Sequence, residues 1–102
     1  MIELIENNKQ EIFNLCRQHK VDRLFLFGSA ARNQMNSSSD LDLLVEFSDS
    51  IEILDYADNY FDLKFSLEKI LKIEIDLVSV KSLKNKILIE EINNSKVELY
   101  AA

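Results

Sequence analysis

The spacing of apolar residues changes several times along the chain, and each change predicts a new element. In residues 2–19, Ile5, Ile12, Phe13 and Cys16 fall on one face at helical spacing. His19 and Lys20 close that helix, where positive charge suits the negative end of the dipole. Residues 21–27, Val-Asp-Arg-Leu-Phe-Leu-Phe, form an apolar run of strand length, expected to be buried on both faces. A short helix is predicted after Ser29. A second strand is predicted over residues 41–47, and a long helix over 52–71. In that helix Leu54, Ala57 and Phe61, then Leu63, Leu67, Ile70 and Leu71, supply apolar stripes. Residues 73–79 alternate as a third strand, residues 83–93 read as a helix, and Val97 to Tyr100 as a short edge strand. Helices alternating with strands argue an α/β sheet with helices packed on it.

Composition narrows this picture. With 102 residues, one domain over 1–102 is the default. Proline is absent and glycine occurs once, so the chain shows no flexible linker and no domain boundary. Asn36-Ser37-Ser38-Ser39 reads as a loop. No apolar run approaches the length of a membrane span, and the N-terminus lacks the basic start and apolar block of a signal peptide. The expected location is the cytoplasm. Cys16 is the only cysteine, which excludes an internal disulfide and leaves it a core role. The net charge of −6 argues against direct nucleic-acid binding, which needs clustered Lys and Arg. It does not exclude a nucleotide, because bound Mg²⁺ can reverse the local sign.

Three places carry candidate chemistry. Gly28 follows a buried strand and precedes Ser29 and a predicted helix start. Glycine accepts positive φ and lets a ligand approach the backbone; a helix N-terminus offers N–H donors to phosphate. Alone, the pair reads as a turn with a helix cap. In Ser39-Asp40-Leu41-Asp42 the two aspartates sit two apart at a strand start and share a face. Paired carboxylates repel unless a cation lies between them, and Mg²⁺ takes carboxylate oxygens together with substrate phosphates. Asp76, between Ile75 and Leu77, is an acid where a strand interior does not expect one. Pairing of its strand with 41–47 would bring it to Asp40 and Asp42. Three carboxylates could then serve two metal ions, and Asp76 could accept a proton from an attacking hydroxyl.

Ten residues separate Gly28-Ser29 from Asp40. Together, Gly28-Ser29-Ala30-Ala31-Arg32, Ser39-Asp40-Leu41-Asp42-Leu43 and Ile75-Asp76-Leu77-Val78 closely resemble the minimal nucleotidyltransferases of the DNA polymerase β superfamily. One departure is Asn33, where that family usually has glycine after the Ala-Arg pair. Asparagine is the non-glycine residue that most readily takes left-handed angles, so the turn can survive.

The resemblance implies a polymerase β-like fold with a mixed sheet of three to four strands flanked by helices. It implies Mg²⁺-dependent transfer of a nucleoside monophosphate, most often from ATP, to a hydroxyl. Asp40 and Asp42 would hold two Mg²⁺ ions, with Asp76 on the catalytic one. Gly28 and Ser29 would grip the departing phosphates, and Arg32 and Ser39 are further nucleotide-binding candidates. Stand-alone members resemble antitoxins whose partner is a helical HEPN-type ribonuclease toxin, silenced by adenylylation of a tyrosine. The HEPN mark, an Arg followed four to six residues later by His, is not met by Arg17 and His19, so the resemblance implies the antitoxin half of a hetero-oligomer. Two alternatives stay open: modification of a small molecule with a partner subunit, and a non-catalytic antitoxin that neutralises by binding alone. Outside this constellation, His19 reads as a solvated helix-end residue. Lys81, Lys84 and Lys86 read as a solvated helix face, and Tyr56, Tyr60 and Tyr100 as packing.

Overall fold

In the computed structural model the described residues are 2–28 and 41–102, and there the apolar periodicities become elements close to those expected. Helices α1 (Ile2–Asn7) and α2 (Lys9–Gln18) lead into β1 (Val21–Phe27). Next come β2 (Leu41–Phe47), the long helix α3 (Ile53–Leu71) and β3 (Ile75–Ser79). A short 3₁₀ turn (Val80–Ser82), helix α4 (Lys86–Ser95) and β4 (Val97–Ala101) complete the chain. The helix expected after Ser29 lies outside the described residues.

Three departures are the largest, each for a local reason. The single helix expected over 2–19 breaks at Asn8. Its side chain donates to the Leu4 carbonyl at 2.9 Å and its backbone N–H to Ile5 at 3.1 Å, the local competition by which Asn interrupts helices. The third strand begins at Ile75 and not at 73, because Lys72 leaves α3 with φ of 56° and Ile73 and Glu74 complete the turn. The last helix begins at Lys86 and not at 83. Asn85 caps it, its side-chain oxygen accepting from the N–H groups of Ile87 and Leu88 at 2.9 and 3.2 Å.

The strands form one mixed sheet in the order β3-β2-β1-β4. β1 is antiparallel to β2 and β4, while β2 and β3 run parallel. That parallel pair requires a crossover, which α3 supplies. Side-chain alternation then sorts residues by face. Leu41, Leu43, Val45 and Phe47 of β2, with Ile75 and Leu77 of β3, join Ile12 and Cys16 of α2 and Leu63, Leu67 and Leu71 of α3 in the main core. Phe25 and Leu44 face the other way and meet Ile92 of α4, with Val78, Val80 and Leu83 at the margin. Cys16 is fully buried, and burial pushes its thiol up to about 12.

β3 is an edge strand, and α3 covers its outer side. Glu68 accepts from the Ile75 N–H at 3.0 Å. The Tyr60 hydroxyl donates to the Leu77 carbonyl, and the Tyr56 hydroxyl bonds to Ser79 Oγ. Side chains thus occupy edge groups that would otherwise template another strand.

His19 corrects the expectation of a solvated helix end. It is buried, with Nδ1 2.7 Å from the Leu15 carbonyl and Nε2 2.6 Å from Asp62 of α3. Asn59 of α3 donates to the His19 carbonyl at 2.7 Å. Docking of α2 on α3 closes over the ring, a contact between residues 43 apart that helical periodicity does not contain. Among the described residues, no helix is long and apolar enough to cross a membrane.

Candidate active site at one end of the sheet

The site is assembled by strand register. Antiparallel pairing sets Phe27 opposite Asp42, so Gly28, the next residue, leaves β1 beside the Asp42 side chain. Parallel pairing sets Asp42 opposite Asp76. Both aspartates are the second residue of their strands, and both project to the face that carries Leu44 and Val78, away from the main core. One sheet end therefore gathers the glycine turn and two of the three expected acids.

Gly28 is required here on two grounds. Its φ is +70°, a left-handed value. A Cβ at this position would also lie 2.2 Å from Asp42 Oδ2 and 3.0 Å from its Cγ. The glycine thus brings backbone against a carboxylate at a distance no side chain would permit.

Asp76 is exposed and Asp42 half-buried. Beside Asp76, an open groove of about 710 Å³ runs along the outer edge of β3, lined by Lys64, Glu68, Lys72 and Glu74 among others. Tyr60 stands at this edge too. Its hydroxyl is pushed to higher pKa, first by burial, then by the negative charge of Asp76 and by Tyr56.

Ser29, Arg32, Asn33, Ser39 and Asp40 lie outside the described residues, so the expectations for them stay with the sequence. Among the described residues no group of three acidic, His or Cys side chains is close enough to hold a metal ion. Asp42 and Asp76 form a pair to which the motif would add Asp40. The donor set fits Mg²⁺: hard carboxylate oxygens on neighbouring strands, one face, with a side-chain-free backbone turn against one of them. Lys81 is not brought to the site. It follows the far end of β3 and meets Asp49 at 3.7 Å. Lys84 and Lys86 are exposed, as expected. Tyr60 and Glu68 were not singled out for the site's edge. Their only sequence signal is placement eight residues apart on one helix, which does not show what the helix covers.

The family model described as polymerase beta, nucleotidyltransferase, matches residues 10–102. The chain belongs to this family. It is a nucleotidyltransferase by that membership, and its mixed four-stranded sheet flanked by helices is the expected fold. A curated relative from Methanocaldococcus jannaschii, named "Putative protein adenylyltransferase MJ0435", is 37% identical over 87% of this chain and 96% of its own length. A solved structure of a "putative minimal nucleotidyltransferase" is 34% identical, with a TM-score of 0.75, over 93% of this chain and 92% of that one. Two more distant structures share the fold. One is a toxin–antitoxin protein solved with AMP-PNP, with 24% identity and a TM-score of 0.71 over 93% of this chain and 74% of the other. The second comes from a tri-AMPylated Shewanella oneidensis HEPN toxin in complex with its MNT antitoxin. It has 22% identity and a TM-score of 0.64 over 95% of this chain and 72% of that one.

Proposed function

We propose that this nucleotidyltransferase moves AMP from ATP to a hydroxyl of a partner protein, a tyrosine of a HEPN-type toxin, and so acts as its antitoxin. The observation that carries the reading is the register of Asp42 on Asp76 beside Gly28. Support for a protein acceptor comes from the naming of the M. jannaschii relative and from the AMPylated toxin in the Shewanella complex. We place the reaction in the cytoplasm and read residues 1–102 as one catalytic domain.

In this reading Asp40, Asp42 and Asp76 hold two Mg²⁺ ions. Bound there, Mg²⁺ would neutralise charge on the reacting phosphate and on the attacking and leaving oxygens. The protein's own part is positioning and charge complementarity. Gly28 and Ser29 hold the terminal phosphates through the turn, with Arg32 and Ser39 as further contacts. Asp76 is exposed beside the groove at the start of β3, where an acceptor hydroxyl can approach, and takes its proton.

The test is incubation with α-labelled ATP, Mg²⁺ and the purified product of the neighbouring gene. Label on a tyrosine of that protein is the expected result. Tight binding without label would overturn the catalytic reading, and label only on an added small molecule would overturn the protein acceptor.

A further inference from the structure

Among the described residues, one apolar stripe of α3 has no counterpart inside the fold. Leu63, Leu67 and Leu71 turn into the core. Ile53, Leu54, Phe61 and Phe65 instead face solvent, exposed by 91, 93, 50 and 57%. Phe61 and Phe65 stack with ring centres 6.0 Å apart. A groove of about 630 Å³ runs beside the stripe between α3 and the 3₁₀ turn, with Ile53, Tyr56, Ala57 and Phe61 along its wall. Burial of such side chains is favourable, and a contiguous exposed apolar patch marks an interaction surface.

Charge and position narrow the occupant. Glu52, Asp55 and Asp58 are exposed among these apolar residues, and no Lys or Arg occurs from residue 51 to 63. Lys81, on the groove's other wall, meets Asp49. A second copy of the chain, docked through the same patch, would set these acids against their own counterparts. A helix with an apolar stripe and a Lys/Arg rim complements both features. The stripe also leads toward the candidate site. Phe61 meets Tyr60 edge-on at 5.0 Å, and Lys64, next to Phe65, lines the groove that reaches Asp76.

We infer that the outward stripe of α3 docks a basic-rimmed amphipathic helix of the protein that carries the acceptor hydroxyl. Docking there sets the acceptor along the groove that reaches Asp76. This rests on the transfer to a protein proposed above.

The experiment compares three chains: wild type, Leu54→Glu/Phe61→Glu, and Asp55→Lys/Asp58→Lys. Each is assayed for ATP binding by calorimetry, for thermal melting, and for label transfer to the neighbouring gene's product across a range of its concentrations. Both variants are expected to melt and bind ATP like wild type, while the KM for the acceptor protein rises at least ~10-fold, the effect of losing about 1.4 kcal/mol of contact. Charge reversal alters no apolar packing, so it keeps the test decisive if the glutamate variant fails to fold. Transfer at wild-type KM by the lysine variant would overturn the docking surface and leave the catalytic reading standing. No transfer by the wild-type chain would overturn both. Concentration-dependent dimerisation of wild type in sedimentation, abolished by Leu54→Glu/Phe61→Glu, would overturn the proposal in favour of a second copy.

Discussion

The two faces of the sheet are built from the same strands but serve different ends. On one face Leu41, Leu43, Val45, Ile75 and Leu77 are buried under α2 and α3. On the other, the intervening residues are Asp42, Leu44, Glu46, Asp76 and Val78, and among the described residues only a small cluster around Phe25, Leu44 and Ile92 is buried. Period-two alternation lets one strand stabilise the fold with every second residue and present the candidate acids with the others. Substitutions on the two faces should therefore separate stability from activity.

The sharpest break of that contrast comes from the acids. Asp42→Asn and Asp76→Asn should each lower the transfer rate by at least ~100-fold, with thermal melting close to wild type. Near-normal transfer in both would remove the catalytic role of this face. The matching change opposite is Leu67→Ala, which empties a fully buried site in the core. It should cost about 2–5 kcal/mol in denaturant unfolding, while the fraction that stays folded transfers at the wild-type rate.

Gly28 joins the two effects, because its left-handed backbone and its close approach to Asp42 are one feature. Gly28→Ala should cost about 1–3 kcal/mol for the left-handed backbone, and should also impair ATP binding as Asp42 is displaced. Loss of stability with unchanged ATP affinity would separate the turn from the site. His19→Ala removes the contact to Asp62 that ties the end of α2 to α3, and a local contact to the Leu15 carbonyl. It should cost about 1–3 kcal/mol, again with activity per folded molecule preserved.

The smallest effect is a pH dependence from Cys16. Its folded pKa is raised from 9.0 to about 12, so above pH 9 the unfolded chain loses the proton while the folded chain keeps it. The stabilisation from a neutral buried thiol is thus intact below pH 9 and is lost as pH rises toward 12. About 1 kcal/mol should disappear between pH 9 and 10. Denaturant midpoints for wild type and Cys16→Ala should diverge from parallel over that interval.

Local patterns in the chain determined a good deal. The four strands, the long helix and the candidate acids follow from periodicity, from one glycine and from aspartates at strand positions, all of which act over a few residues. The Gly-Ser and Asp-x-Asp spacing was enough to point to the nucleotidyltransferase family, which the match over residues 10–102 bears out. The helix boundaries at Asn8 and Asn85 are not legible in periodicity, because at each a side-chain hydrogen bond to nearby backbone competes with it at short range. What only the tertiary structure decided depends on contacts between distant residues. Strand register put Asp76 opposite Asp42, and packing of α2 on α3 buried His19. It also decided which stripe of α3 entered the core and which, with Leu54 and Phe61, was left outside. Apolar spacing shows that a helix has two faces worth burying, and only the layer packed against it determines which one the fold itself covers.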